Sequence, residues 1–89
     1  MQLLTQDVAL QAGPSGVRAN CIAPETILTD DNKSRIPLQI QEKLAEMHAS
    51  RRLGTPEDVA RAALFLADRN QSGWITGAVL DLHGGTLIV

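Results

Sequence analysis

The chain has 89 residues, of which 44% are hydrophobic and 20% charged, and its formal net charge is −2. This balance is typical of one folded domain and excludes a disordered chain, because apolar burial can offset chain entropy. The acidic balance and the lack of a clustered basic face argue against nucleic acid as a partner. The lone Cys21 cannot form an internal disulfide, and no apolar run reaches the roughly 18 residues of a membrane span, so we expect a cytoplasmic protein without a membrane partner.

The N-terminal segment is predicted to form a helix followed by a strand. Residues 1–12 repeat apolar side chains at helical spacing, which predicts an amphipathic helix. The helical spacing is already present at the first residue, and no N-cap precedes it. We therefore interpret the chain as starting inside a helix. Gly13 and Pro14 end the helix, because Gly is favoured after a helix end and Pro cannot continue one. Apolar residues then recur at every second position from Val17 to Ala23, which predicts a strand closed by Pro24.

The middle of the chain is predicted to be a loop that carries its own helix. Residues 25–33 show no period and are rich in Thr and Asp, whereas residues 36–47 repeat apolar side chains at helical spacing. A loop of this length often lies over a ligand site. Two interpretations stay open for this helix: its apolar stripe closes over an apolar substrate, or the stripe packs permanently on the body of the protein.

The last third of the chain is predicted to contain a helix and a second strand. Thr55 is a good N-cap, Pro56 suits the first helical position, and Asp58 occupies the capping-box position. The apolar face of this helix is predicted to comprise Val59, Ala60, Ala63, Leu64 and Ala67. Residues 70–73 break the helix, and residues 78–82 form a short apolar strand.

The order of these elements indicates an α/β fold. Two strands joined by about fifty residues of mostly helical chain require a parallel pairing with a right-handed crossover. A parallel sheet normally has several strands and two covered faces, whereas this chain supplies two strands and three helices. The sequence therefore predicts an α/β fold truncated upstream.

Five sequence blocks, in the same order, resemble the C-terminal half of short-chain dehydrogenases/reductases. The blocks are Leu4–Leu10 continuing into Gly16–Pro24, then Arg52–Ala60, Phe65–Ala67, Trp74–Gly77 and Gly84–Gly85. The first block is similar to the family's helix-to-strand passage ending in Pro-Gly, and the others to its closing segment. The resemblance implies the C-terminal part of a Rossmann-like, doubly wound parallel sheet, with residues 1–89 forming a single partial domain.

The resemblance also implies a cofactor site in the loop after the first strand, where the family holds the nicotinamide side of NAD or NADP. The matching positions are Pro24, Ile27 and Thr29, of which the last two meet the carboxamide and the pyrophosphate. A backbone amide and a hydroxyl can serve these groups without added charge, at the carboxyl end of a parallel strand. The alternative for Thr29 is that it only caps a turn. Glu25 stands where the family has Gly, and it adds a carboxylate where the backbone passes close to the cofactor.

The reaction implied by the resemblance is hydride transfer between the nicotinamide and a small-molecule carbonyl or alcohol. The family uses a Tyr, a Lys and a Ser, but this chain has no Tyr, and the expected Lys falls just upstream of the first residue. No residue here is therefore predicted to be catalytic, and the chain is expected to supply the cofactor loop, a substrate loop at Asp30–Met47 and an oligomer surface. His48 and His83 are predicted to be structural, and no metal site is predicted.

An interaction module is the alternative function from another class. The segment Thr55–Leu82 would bind a partner protein, since this region contacts the next subunit in the family. The apolar tail Leu87–Val89 would be costly to expose, which favours a homo-oligomer. Trp74 is predicted to pack at a subunit or helix contact, and Arg18 to keep its charge at the exposed side of the first strand.

Overall fold

The computed structural model describes residues 2–85, which form an α/β arrangement of five helices and two strands. The helices are α1 (Gln2–Ala12), α2 (Asp30–Lys33), α3 (Leu38–Glu46), α4 (Pro56–Ala67) and α5 (Arg69–Ser72). The strands are β1 (Cys21–Pro24) and β2 (Val79–Leu82). The three predicted helices correspond to α1, α3 and α4, whereas the short helices α2 and α5 were not predicted.

Strands β1 and β2 are adjacent and parallel, which confirms the predicted pairing. The Cys21 N–H donates to the Ala78 carbonyl at 2.9 Å, and the Glu25 N–H donates to the Leu82 carbonyl at 3.0 Å. Both partners advance by four residues in the same direction, so the register is that of a parallel ladder.

The first strand is shorter than predicted, because side chains replace the ladder before Cys21. The Asn20 amide donates to the Ile75 carbonyl at 3.0 Å and accepts from the Ala78 N–H at 3.1 Å. The Ala19 N–H likewise donates to the Thr76 hydroxyl at 3.1 Å. The Ala19 carbonyl accepts from the Gly77 N–H at 2.7 Å, so this segment is held by side-chain bonds and a single backbone bond rather than by a regular ladder.

The tertiary contacts divide the chain into two compact units. Unit 1 comprises the residues up to 23 and residues 60–81, and unit 2 comprises residues 24–59 and those from 82 onward. In unit 1, α1 buries Thr5 and Ala9. Gly77 lies against that helix with a positive φ of 75°, and a Cβ at Gly77 would lie 3.5 Å from the Ala9 Cβ. Small residues on both sides therefore allow the backbones to approach closely.

The core of the described residues is small. Ala9, at 8% exposure, is the only buried hydrophobic residue among residues 2–85, while Leu10, Leu64 and Trp74 are 77%, 70% and 97% exposed. Helix α4 turns Val59, Ala62 and Leu66 inward as half-buried residues, so the predicted apolar face, which included Leu64, was wrong by about one residue of rotation. The apolar tail at residues 87–89 lies outside the described residues.

Helix α4 begins as its sequence predicts. The Asp58 N–H donates to the Thr55 hydroxyl at 3.2 Å, and the Asp58 carboxylate accepts from the Thr55 N–H at 2.9 Å. Arg52 adds two hydrogen bonds to the same carboxylate, at 2.7 and 3.1 Å. The Arg52 guanidinium and the Thr55 N–H hold the pKa of Asp58 well below its usual range, so this carboxylate is ionised throughout the neutral range. The pair anchors the segment from Arg52 to the first turn of α4.

None of the helices in residues 2–85 combines the length and the apolar character needed to cross a lipid bilayer.

Candidate cofactor loop and its supports

The predicted site residues lie together in one loop of unit 2, residues 24–29, at the carboxyl end of β1. Pro24 is the last residue of the strand and is exposed. The Glu25 N–H extends the pairing with β2 by its bond to Leu82. Thr26 then takes a positive φ of 47°, which is uncommon for a residue with a Cβ. The chain thus turns sharply as it leaves the sheet, which is where ligands bind in open parallel sheets.

Ile27 is held in place by Gly54. The two residues form an isolated parallel bridge, in which the Leu28 N–H donates to the Gly54 carbonyl at 2.8 Å and the Gly54 N–H donates to the Thr26 carbonyl at 3.2 Å. A Cβ at position 54 would lie only 2.5 Å from the Ile27 Cδ1. Glycine at position 54 therefore makes room for the Ile27 side chain.

The bridge leaves the Ile27 N–H available to a ligand. In a parallel bridge the residues on either side of Ile27 face Gly54, so the Ile27 backbone groups face the opposite way. Its carbonyl accepts from the Asn32 amide at 2.8 Å. Within residues 2–85, no hydrogen bond uses the Ile27 N–H.

Thr29 caps helix α2, as the alternative interpretation predicted. Its hydroxyl accepts from the Asn32 N–H at 3.2 Å, and its N–H donates to the Asn32 side-chain oxygen at 2.7 Å. This reciprocal pair is a capping box. A threonine hydroxyl that accepts one bond still has its own hydrogen to donate. The capping box therefore orients the Thr29 hydroxyl and leaves the hydroxyl hydrogen available to donate.

These groups fit the nicotinamide half of a dinucleotide. The Ile27 N–H matches an amide oxygen, the Ile27 side chain matches the face of a flat ring, and the Thr29 hydroxyl matches a phosphate oxygen. None of the three adds charge, and all are positioned by neighbours within the same unit. When bound, the dinucleotide would supply the hydride-carrying carbon, and this chain would supply binding and orientation.

Glu25 departs from the family pattern and presents an unpaired carboxylate. Its side chain is exposed. The ion pairs among residues 2–85 are Arg35 with Asp31 and Arg52 with Asp58, neither of which involves Glu25. The loop therefore carries one uncompensated negative charge two residues before Ile27.

Helix α3, in the predicted substrate loop, exposes much of its apolar surface. On the predicted apolar stripe, Ile40 and Met47 are 44% and 65% exposed, whereas Ile36 and Leu44 are half-buried. The stripe is therefore partly covered and partly exposed, and both interpretations stay open.

Both histidines have structural surroundings. His48 is 2% exposed, and its Nδ1 lies 2.6 Å from the Leu44 carbonyl, which places the ring hydrogen on Nδ1. The Nδ1 of His83 accepts from the Gly85 N–H at 3.0 Å in the turn after β2. In residues 2–85, no three side chains of the types that bind metals are grouped to hold an ion.

Arg18 is a structurally important residue that the sequence interpretation missed. Its guanidinium donates to the Ser72 carbonyl at 2.9 Å, the Ser72 hydroxyl at 3.3 Å and the Ile75 carbonyl at 3.2 Å. The prediction that Arg18 keeps its charge at an exposed strand side is therefore wrong. No local signal could have identified these partners, because they lie more than fifty residues away.

A cleft of about 500 Å³ runs beside Arg18 in unit 1. One side is formed by Val17, Arg18 and Ile22, and the other by Ala63, Leu66 and Ala67 of helix α4. None of the three predicted cofactor residues lines it.

Comparison with known proteins agrees with the α/β architecture. The family model of enoyl-(acyl carrier protein) reductases matches residues 1–86. The 7α-hydroxysteroid dehydrogenase of Escherichia coli K12 is 43% identical over 82 residues, which cover 92% of this chain and 32% of that protein.

Solved structures show the same similarity. A 7α-hydroxysteroid dehydrogenase in complex with NADH and 7-oxo glycochenodeoxycholic acid is 40% identical with a TM-score of 0.81, over 94% of this chain and 32% of that one. An NADPH-dependent reductase involved in bacilysin biosynthesis is 26% identical with a TM-score of 0.82, over 99% of this chain and 37% of that one.

The fold and the comparisons define a part of a Rossmann-like α/β fold. The chain belongs to the short-chain dehydrogenase/reductase family. It spans about a third of the length of the curated relatives it matches.

Proposed function

We propose that this chain supplies the nicotinamide-side loop, the substrate loop and a subunit-contact surface of an NAD- or NADP-dependent oxidoreductase. The reaction is hydride transfer between C4 of the nicotinamide and an apolar carbonyl or alcohol. The observation that carries the proposal is the geometry of the loop at residues 24–29. The bridge to Gly54 orients the Ile27 N–H, and the capping box orients the Thr29 hydroxyl. Each group still has a hydrogen that it can donate to a ligand. The exposed apolar residues of α3 support an apolar substrate.

The role of each residue follows from its chemistry. Pro24 lacks an N–H and ends the strand, so the loop can leave the sheet there. Ile27 offers its N–H and an apolar side chain to the nicotinamide, and Thr29 offers a hydroxyl to the pyrophosphate. This chain binds and orients, while the group that exchanges the substrate proton is assigned to a segment outside these 89 residues.

The test replaces the matching segment of the Escherichia coli 7α-hydroxysteroid dehydrogenase with this chain, giving a hybrid enzyme. In the hybrid, Thr29→Val is expected to weaken NADH binding by about tenfold to a hundredfold, because a hydrogen bond to a charged group is lost. Thr29→Ser keeps both the cap and the donor and should bind NADH normally. Binding is measured by calorimetric titration.

A control separates the cofactor role of Thr29 from its capping role. Asn32→Ala removes the side-chain half of the capping box and the amide that bonds to the Ile27 carbonyl, but it leaves the Thr29 hydroxyl. Because this variant disturbs the loop at two points, a smaller loss of NADH binding than in Thr29→Val assigns the difference to the hydroxyl itself. Equal losses would contradict the proposed contact.

A second candidate function, a protein-interaction surface, is supported by Leu64 and Trp74. These residues are 70% and 97% exposed, and large apolar side chains exposed together mark interaction surfaces. We therefore expect the chain to self-associate at micromolar concentration, and Trp74→Ser to shift the assembly toward monomer in sedimentation velocity. The matched control is Leu3→Ser, on the 78% exposed N-terminal end of α1. A compact monomer for the unmodified chain would contradict this candidate.

A further inference from the structure

We infer that Glu25 makes this cofactor loop prefer the oxidised, cationic nicotinamide over the reduced, neutral one. This inference rests on the proposed function, because it requires the nicotinamide to lie at Ile27. It goes further than the proposed function because the loop would also bind one redox form of the cofactor more tightly than the other.

Backbone hydrogen bonds fix the positions of Glu25 and Ile27 in the loop. The Glu25 N–H is bonded to the Leu82 carbonyl at 3.0 Å, so its backbone is anchored to the sheet rather than displaced from it. Ile27 is anchored independently by its bridge to Gly54. Two residues of extended chain span at most about 7 Å, so the Glu25 and Ile27 Cα atoms lie within that distance.

Among the described residues, the negative charge of the Glu25 carboxylate is not neutralised by a neighbouring cation. Glu25 has no ion-pair partner among residues 2–85, and its side chain is exposed. A carboxylate that no cation neutralises acts on any charge within a Debye length, which is about 10 Å at 0.1 M salt. A nicotinamide ring seated on Ile27 would lie about one Debye length or less from the Glu25 backbone, so the field of the carboxylate reaches the ring partly screened.

The oxidised and reduced forms of the cofactor differ in the charge of the nicotinamide ring. The nicotinamide ring carries a positive charge in NAD⁺ and NADP⁺ and none in NADH and NADPH, while the remainder of each molecule keeps its charge. The field of Glu25 on the phosphates is therefore nearly the same in both forms and cancels in the ratio of their affinities. Attraction to the ring remains, and it favours the oxidised form.

The loop geometry shows how a side chain is tolerated where the family has Gly. The residue of the loop that takes a positive φ is Thr26, at 47°, and Glu25 is not among the positive-φ residues of the described chain. Glu25 therefore bears its side chain without left-handed strain, and the turn is made one residue later.

The experiment measures affinity for each form with the hybrid enzyme, in which the upstream part of the relative completes the cofactor site. Binding of NAD⁺ and NADH, and separately of NADP⁺ and NADPH, is followed by calorimetric titration. In Glu25→Gln, which keeps the shape and removes the charge, the preference for the oxidised form should fall by about threefold to tenfold at low salt. The change should shrink in about 1 M salt, where the Debye length is about 3 Å.

The matched control is Asp7→Asn, which makes the same charge change on an exposed position of α1 in unit 1. It should leave the ratio of affinities unchanged. If both forms bind but Glu25→Gln leaves their ratio unchanged, the role of Glu25 is overturned while the proposed cofactor loop stands. If the hybrid folds but binds neither form, both the role of Glu25 and the proposed cofactor loop are overturned.

Discussion

No dehydrogenase turnover is expected from the 89-residue chain alone with any alcohol or ketone. The resemblance assigns the proton exchange to a Tyr supported by a Lys and a Ser, and this sequence contains no Tyr. Loss of a positioned acid or base costs about 10²- to 10⁴-fold in rate, and loss of cofactor positioning adds to this. The rate should therefore fall below detection when nicotinamide absorbance is followed over a panel of substrates.

Neither histidine offers a replacement for the missing acid. His48 is 2% exposed and directs its Nδ1 hydrogen to the Leu44 carbonyl. The Nδ1 of His83 accepts a hydrogen bond from the Gly85 N–H within its own turn. A general acid must donate a hydrogen to the substrate oxygen, and the burial of His48 and the turn bond of His83 oppose this role.

The matched positive control is the hybrid enzyme, which joins this chain to the upstream part of the Escherichia coli 7α-hydroxysteroid dehydrogenase. It should regain turnover, because the relative is 43% identical across the joined segment. Turnover by the 89-residue chain alone would contradict the assignment of the chemistry to another segment. An inactive hybrid that folds and binds NADH would contradict the proposed substrate loop.

Features encoded within a few residues could be predicted from the sequence. Thr55 and Asp58 are three residues apart, and their reciprocal hydrogen bonds form as the capping-box pattern indicates. Helix α2 shows the limit of this reasoning. Its capping box pairs Thr29 with Asn32, whereas the usual pattern has Glu or Gln at the last position. The sequence pattern therefore predicts a loop where the structure has a helix.

Features that depend on distant partners could not be predicted. Gly54 matters because it faces Ile27, and nothing near position 54 in the sequence indicates a parallel bridge to that residue. The start of β1 was predicted too early for the same reason, since Asn20 and Ala19 bond to residues more than fifty positions away. Periodicity reports which face of an element is apolar, but the partner that covers the face is set by the tertiary fold.

The largest expected loss of stability is at Arg18. Arg18→Met keeps much of the apolar stem but removes the guanidinium that bonds to Ser72 and Ile75. Ser72 is 2% exposed, so its carbonyl would lose a partner in a place that water reaches poorly. Hydrogen bonds to a charged donor contribute about 1.5 to 3 kcal/mol each, and the two carbonyl bonds share one nitrogen, so we expect a loss of about 2 to 3 kcal/mol.

Arg61→Met is the matched control for this substitution. Arg61 is exposed on α4 and makes no hydrogen bond or ion pair within residues 2–85, so its loss should change the free energy of unfolding by less than about 0.5 kcal/mol. Urea titration followed by far-ultraviolet circular dichroism, which reports on the helices, gives both values. Arg18→Lys should recover only part of the loss, because lysine brings a flexible, strongly hydrated ammonium to the place where one nitrogen of the rigid guanidinium contacts both carbonyls. Equal midpoints for Arg18→Met and Arg61→Met would show that the Arg18 hydrogen bonds contribute nothing to stability, since both variants remove the same charge.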